Sequence, residues 1–307
     1  MEVQYAESGE IEAGAEEAPY LLKNFVMGSD PIKFKENRMK RMTAMLLALG
    51  LLSVALTGCQ GGATTPKTEA LAEVTVGSDT YPPFVYMDEN GDPTGIDVEI
   101  AYEAFRRMGY EAVFTPINWE QKDALLASGE IDCVWGCYSM SGREARYQWA
   151  GPYMVSRQVV AVNADSGISD FAGLAGKTIA VQSTGKPEEI LLGKQLPDMP
   201  ALGDVLSIED RSVQYASLDC GYVDAIAAHE TAILQYMKDF DAHFRILPEP
   251  LLVTGIGVAF SLTDQRGLAQ QLDDTLAEMR ADGTMKEIVG RYLENPDSYL
   301  EVDGLDG

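Results

Sequence analysis

From about residue 72 onward, apolar and polar positions alternate between two periods. Short runs rich in β-branched and apolar residues read as buried strands. The segments between them place apolar residues three and four apart, the spacing of a helix with one face turned inward. Glu73–Gly77 is the first such strand. A helix is predicted over Asp97–Met108, with Asp97 as its N-cap, Ile100, Ala101, Ala104, Phe105 and Met108 as its apolar stripe, and Gly109 just past its end. Glu111–Thr115 reads as a strand, Glu120–Ser128 as a helix and Ile131–Trp135 as a strand. A second set follows: strands at Gln158–Asn163 and Lys177–Gln182, and a helix at Pro187–Gln195 entered through Ser183-Thr184-Gly185. Asp224–Ala228 is then a strand, Glu230–Met237 a helix and Ile256–Phe260 a strand. Two helices close the chain, Gln265–Ala281, with Leu268, Leu272, Leu276 and Met279 inward, and Met285–Leu293, parted by Asp282-Gly283. Strand, helix and strand in succession with short turns imply an α/β fold, a parallel sheet covered by helices. The two sets are alike in kind, without a strict repeat.

One stretch breaks this pattern. Lys40-Arg41 precede an almost continuous apolar run, Met42 to Leu56, which ends in Thr57-Gly58-Cys59. Positive charge, a run of this length and small residues at its end are the three parts of a secretory signal. A membrane span needs about 20 apolar residues, more than this run supplies. Leu56-Thr57-Gly58-Cys59 resembles a bacterial lipobox, which implies a signal peptide at 39–58 and lipidation of Cys59. Residues 1–38 hold eight acidic and four basic side chains, unlike the start of a signal. The expectation is that translation starts at Met39 and that 1–38 is an upstream misreading, the alternative being a disordered extension. Residues 59–70, with Gly-Gly, Thr-Thr and Pro66, read as a polar tether.

Charge narrows the partners. The 307 residues carry 23 Lys and Arg against 48 Asp and Glu, a net charge of −25. Residues 59–307 retain 17 basic and 40 acidic side chains, so nearly all the acidity belongs to the exported part. A surface of this sign argues against nucleic acid and against docking on anionic lipid through a basic patch. Aside from Cys59, the cysteines are Cys133, Cys137 and Cys220, an odd number that gives no complete disulfide framework. Four residues along a strand span about 13 Å, too far for a bond between Cys133 and Cys137, and both are expected to be buried thiols. With two His in the chain, a zinc site has little support. No Walker-type glycine loop, nucleophile elbow or Ser-His-Asp arrangement stands out, so no cofactor, metal or catalytic residue is expected.

Six segments in order carry a resemblance. They are Val76-Gly77-Ser78-Asp79-Thr80-Tyr81-Pro82-Pro83-Phe84 with Gly95-Ile96-Asp97, then Trp119 ahead of Ala124 to Asp132, then Gly136 seven residues before Arg143 with Gly151-Pro152-Tyr153 beyond. Leu174 to Gln182, Gly221-Tyr222-Val223-Asp224-Ala225 and Ala281-Asp282-Gly283-Thr284-Met285 complete them. Together they resemble the extracellular solute-binding proteins of polar amino-acid ABC importers, over roughly residues 72–293. The resemblance implies two Rossmann-like α/β lobes joined by two hinge strands, the periplasmic-binding-protein type II architecture, with ligand trapped between them. Lobe one would be 71–155 with 254–300, lobe two 156–253, and 301–307 an acidic tail. The crossings would lie near Tyr153–Arg157 and Pro248–Val253.

The same resemblance assigns a pocket. Arg143 matches the arginine that grips the ligand's α-carboxylate, a role suited to a guanidinium fork; the alternative is a solvated arginine beside Glu144 and Arg146. Gly136 belongs to the same motif. Ser183 and Thr184 fall where the family places a hydroxyl and free backbone N–H groups, with Lys186 close by. Tyr81 and Trp119 match aromatic walls, and Phe84 backs them as core. Tyr138 stands where the family has Thr or Ser, narrowing the site or adding a stacking face. His229 stands where the family has the aspartate that pairs with the ligand's ammonium; Glu230, next to it, is the substitute on offer, and a structural role for His229 stays open. The expected function is a lipid-anchored receptor on the extracytoplasmic face of the membrane, a monomer, passing a small carboxylate-bearing solute, an amino acid above all, to an ABC permease. The alternative is a cyclohexadienyl-dehydratase-like enzyme on the same fold, with His229 and Glu230 as its acid–base pair. A sensor ectodomain would need a further hydrophobic segment, and none follows residue 58.

Overall fold

β1 (Ala72–Ser78) and β4 (Tyr110–Pro116) run parallel in register from Ala72 opposite Tyr110, and β1 pairs on its other side with β5 (Cys133–Ser139). The computed structural model describes residues 71–302 and Gly304, within the compact unit Gly61–Gly307. The leader, signal, Cys59 and the tether at 59–70 therefore lie outside the described residues, as does most of the acidic tail. A second parallel set joins β7 (Thr178–Gln182) to β8 (Asp204–Ile208) on one side and β9 (Ala225–His229) on the other. Two long antiparallel strands, β6 (Gln148–Asn163) and β11 (Leu252–Phe260), stand between the sets. The sheet order is β4-β1-β5-β11-β6-β9-β7-β8, with the short β10 (Phe244–Ile246) paired to β6. A hairpin of β2 (Tyr86–Met87) and β3 (Pro93–Thr94) is separate.

Helices cover both sets: α1 (Ile96–Met108), α2 (Lys122–Ser128), α3 (Lys186–Leu192), α4 (Arg211–Asp219), α5 (Glu230–Phe240), α6 (Leu268–Ala281), α7 (Thr284–Gly290) and α8 (Asp297–Leu300). The inward stripes of α1 and α6 are buried as their spacing predicts: Ile100, Ala101, Ala104 and Phe105 face Leu272, Leu276 and Met279 in one core. Val160, Val162, Ile179, Val181, Ala225 and Ala227 form a second core on the other set.

The start of α1 differs from the expected one. Gly95 is the N-cap, at φ 121°, and a Cβ there would stand 2.3 Å from the Phe84 carbonyl oxygen. Only glycine suits that combination of dihedral and close approach. Asp97 is not the cap but a buried strut. Its carboxylate accepts from the Cys137 backbone N–H (2.7 Å) and from the Tyr153 hydroxyl (2.8 Å). Burial pushes this carboxyl up to about 7, against those two hydrogen bonds.

Further elements went unread in the sequence. Residues 196–223, without an assigned period, contain β8 and α4. The strand expected at Gln158–Asn163 begins ten residues earlier, because Gln148–Gln158 pairs with β11, and the residues expected as the first crossing, Tyr153–Arg157, lie within it. Cys133 and Cys137 are buried free thiols as expected, and Cys220 is exposed.

Replacing Asp97 by Ala leaves two buried donors unpaired, each worth about 1–3 kcal/mol. Urea unfolding is expected to show a loss of about 2–4 kcal/mol, with Asp97→Asn recovering part of it. A change below about 0.5 kcal/mol, the range of an ordinary surface substitution, would contradict the strut.

Candidate ligand-binding site

The carboxyl ends of β1, β5, β7 and β9 converge, which is where open α/β sheets bind ligands. A cavity opens there. Of the residues expected from sequence, Tyr81, Trp119, Tyr138, Arg143, Lys186 and His229 line it; Gly136, Ser183, Thr184 and Glu230 do not. Gly136 lies in β5 behind the cavity, where a Cβ would meet Ser78 Oγ at 2.5 Å and Trp119 at 3.6 Å. Its smallness lets those side chains close up.

Local structure explains each wall. Tyr81 follows β1 in a tight turn whose carbonyl accepts from the N–H groups of Phe84 and Val85. Phe84 is fully buried behind it, with ring centroids 5.9 Å apart. Trp119 opens a single helical turn capped by Asn118, whose side chain accepts from Glu120 N–H. Tyr138 sits one residue from the end of β5, edge-on to Trp119 at 5.2 Å.

Arg143 emerges from the turn after β5, its backbone tied by N–H to Met140 O (2.9 Å) and by Trp149 Nε1 donating to its carbonyl (3.2 Å). The side chain is 4% exposed. The guanidinium lies 4.9 Å from the Tyr138 ring centroid and donates to Ser139 O and Thr184 O, both at 3.4 Å. Glu189 Oε2 stands 3.2 Å away and its other oxygen pairs with Lys186, so one carboxylate serves two cations.

The anion site expected at Ser183 and Thr184 needs correction. Ser183 N–H donates to Ile208 O, Gly185 N–H to Gln182 O, and Thr184 N–H to Glu188 Oε2 at 2.7 Å, so none of these donors is free. Thr184, at φ 57°, instead accepts at its hydroxyl oxygen from Lys122 Nζ at 2.8 Å.

His229 ends β9 and is buried. Its Nδ1 lies 2.6 Å from Ser156 Oγ, its Nε2 lies 2.7 Å from Gln158 Nε2, and its backbone N–H donates to the Tyr81 hydroxyl. Gln158 is its register partner on β6. Gln158 Nε2 also donates to Ser139 Oγ, and with this amide orientation Gln158 donates to Nε2 and Nδ1–H donates to Ser156. Burial, then Arg211 and Arg143, push the imidazole down to about 3, which makes it a neutral ring. Glu230 does not take its place: it turns outward to Arg157, 2.9 Å away.

The residue that sequence reasoning missed altogether is Arg211, the first of α4. Its guanidinium lies 3.4 Å from the Tyr81 ring centroid and 5.8 Å from that of Trp119, and its Nε donates to Asp79 Oδ2 at 2.9 Å. Gln182 Nε2 donates to the same oxygen at 2.7 Å. Burial works against the Arg211 charge, but Asp79 and the neighbouring tyrosines outweigh it and raise its pKa. Lys122, also missed, is buried over Trp119, which pulls its ammonium down to about 8. A signal for α4 existed: Asp210 before Arg211-Ser212-Val213 is an N-cap, and its side chain accepts from Ser212 and Val213 N–H. Among the described residues, no group of His, Cys, Asp and Glu is placed to hold a metal, and no helix is long and apolar enough to cross a membrane.

A two-lobed α/β sheet, a cavity at the strand ends and a buried guanidinium within it define a solute-binding fold. The chain belongs to the bacterial extracellular solute-binding proteins, family 3, whose family model matches residues 74–295. The L-cystine-binding protein TcyJ of Escherichia coli (strain K12) is 29% identical over 217 residues, covering 70% of this chain and 79% of that one. The L-cystine-binding protein TcyA of Bacillus subtilis (strain 168) is 29% identical over 229 residues, covering 72% and 81%. Among solved structures, an ancestral arginine-binding protein bound to arginine superposes with a TM-score of 0.65 at 26% identity, covering 73% of this chain and 99% of that one. The fold is therefore the periplasmic-binding-protein type II architecture, and the family is that of the amino-acid-binding components of ABC transporters.

The neutral His229 makes stability depend on pH with a definite sign. Its folded pKa, about 3, lies below the unfolded value of about 6.5. Its contribution is complete above about 6.5 and is lost as pH falls toward 3, with a limiting slope of about 1.4 kcal/mol per unit. Urea midpoints for wild type and His229→Gln are expected to diverge over that window, the wild type losing more. Parallel pH profiles would contradict a buried neutral ring.

Proposed function

We propose that this protein is a lipid-anchored receptor that captures a small carboxylate-bearing solute, an amino acid, between its two half-sheets and delivers it to an ABC importer. The observation that carries this reading is Arg143: a nearly buried guanidinium at the cavity wall, backed by Tyr138 and held to both half-sheets through Ser139 O and Thr184 O. A guanidinium in that setting gains more from a bidentate carboxylate than from the shared Glu189. Tyr81 and Trp119 supply the aromatic walls of a small-molecule site. That similar proteins bind cystine and arginine supports an amino-acid ligand for this chain.

The enzyme alternative needs an acid or base over the ligand. His229 has both ring nitrogens engaged and Glu230 stands outside the cavity, which favours the receptor. Anchoring rests on the lipobox resemblance at Cys59.

Amino acids added to the wild type are expected to raise its melting temperature, as any ligand of the folded state does. Arg143→Ala is expected to weaken calorimetric affinity by about 2–5 kcal/mol while leaving the far-ultraviolet circular dichroism unchanged. Wild-type affinity in that variant would remove Arg143 from the site. For the anchor, Cys59→Ser is expected to move the protein from the membrane fraction to the soluble one or to change its processing; unchanged fractionation would refute lipidation.

A further inference from the structure

The slot between Tyr81 and Trp119 is the natural place in this cavity for a cationic group, because aromatic faces attract positive charge. The protein fills it itself. Arg211 stacks on Tyr81 at 3.4 Å and reaches within 5.8 Å of Trp119, while its Nε is pinned to Asp79. Gln182 holds the same Asp79 oxygen from β7, so the arginine is braced from both half-sheets. With Arg211 in the slot, only ≈ 20 Å³ remains for the centre of a water molecule, room for about one water.

The charges around the cavity point the same way. Arg143, Lys186 and Arg211 line it and no carboxylate does. Lys122 stands just behind Trp119. The two nearest carboxylates are already committed, Asp79 to Arg211 and Gln182, and Glu189 to Arg143 and Lys186. Glu188 is bound to the Thr184 N–H, and Asp123 to the Tyr147 hydroxyl. His229 is neutral and its ring is saturated with hydrogen bonds. The terminal nitrogens of Arg211 have no acceptor among the described residues, so they remain as donors at the cavity. Gln158, also on the lining, keeps a buried amide oxygen without a partner among the described residues, a neutral acceptor for a ligand ammonium.

We propose that Arg211 is the specificity-determining residue of this site: it excludes cationic side chains from the aromatic slot and selects a solute with two carboxylates. This rests on the receptor reading above and adds the ligand's second charge to it. One carboxylate goes to Arg143. The other meets the free edge of Arg211, whose side chain shifts along the Tyr81 face to admit it while Asp79 keeps hold of Nε. A cationic side chain would have to expel Arg211 from the ring and face three like charges.

The test is calorimetry on the mature chain with L-glutamate, L-aspartate and L-cystine against L-alanine, L-arginine and L-lysine. Wild type is expected to bind at least one of the first three more tightly than any of the last three. Arg211→Gln is expected to weaken the two-carboxylate ligands on the order of 100-fold, the cost of losing a desolvated charge pair. It should also bring L-arginine or L-lysine binding into measurable range. Arg211→Lys, which keeps the charge, is expected to preserve the order of ligands and guards against a folding defect in the first variant. L-arginine or L-lysine binding the wild type as tightly as the two-carboxylate ligands, or an unchanged order in Arg211→Gln, would overturn the specificity assignment while leaving the receptor standing. No heat with any of the six would overturn the receptor reading itself.

Discussion

Two antiparallel strands, Gln148–Asn163 and Leu252–Phe260, are the constraint on which the rest of the molecule depends. Each of the flanking half-sheets is parallel and faces its strand ends toward the same crevice, and these two strands are what set them side by side. Strand β6 pairs with β11 over Gln148–Gln158 and with β9 over Gln158–Val162. Gln158 is thus the residue at which one half-sheet hands over to the other. Its side chain joins Ser139 on β5 to His229 on β9, so a single amide links the strand ends of both sets at the cavity floor. A pair of strands that carries both half-sheets also limits their relative motion to bending and twisting of that pair, the geometry of a hinge.

What crosses the crevice is almost wholly polar. Asp79 meets Arg211 and Gln182, Lys122 meets Thr184, and Arg143 meets Thr184 O and Glu189. Contacts of this kind close with definite geometry but add little net stability, since each ion pair gives up hydration to form. The apolar residues pack on the faces of the sheet, and the larger cluster runs across both half-sheets, from Phe105 and Leu276 to Tyr215, Ile226 and Ile233. A ligand that satisfies the buried cations better than the protein's own carboxylates do is able to decide the balance between open and closed. In a chain with a net charge of −25, Lys122, Arg143, Lys186 and Arg211 are concentrated at one crevice.

Much of the fold was legible because its elements are regular. Alternation of strand and helix with well-marked apolar stripes in α1 and α6 led to the α/β reading, and the buried positions of those stripes match. Boundaries shifted where tertiary contacts overrode local signals. Asp97 has the chemistry of a cap, yet its carboxylate is spent on Cys137 and Tyr153 from distant strands. Residues 196–223 hid β8 and α4 because β8 is a half-exposed edge strand with little apolar pattern. The cavity lining was legible where one residue type carries the chemistry, as at Tyr81, Trp119 and Arg143. It was not legible at Arg211 or Lys122, whose position in the cavity depends on three-dimensional neighbours 132 and 62 residues away in the chain. The N–H groups near Thr184 were misjudged for a related reason: Glu188, one helical turn on, folds back and takes the donor that a ligand was expected to use.

The role of Arg143 is tested most sharply by a crystal structure of the mature chain grown with whichever amino acid most raises its melting temperature. One ligand molecule is expected in the crevice between the half-sheets, its α-carboxylate within hydrogen-bonding distance of both terminal nitrogens of Arg143. A ligand bound anywhere else on the molecule, or one in the crevice whose carboxylate does not touch Arg143, would contradict it.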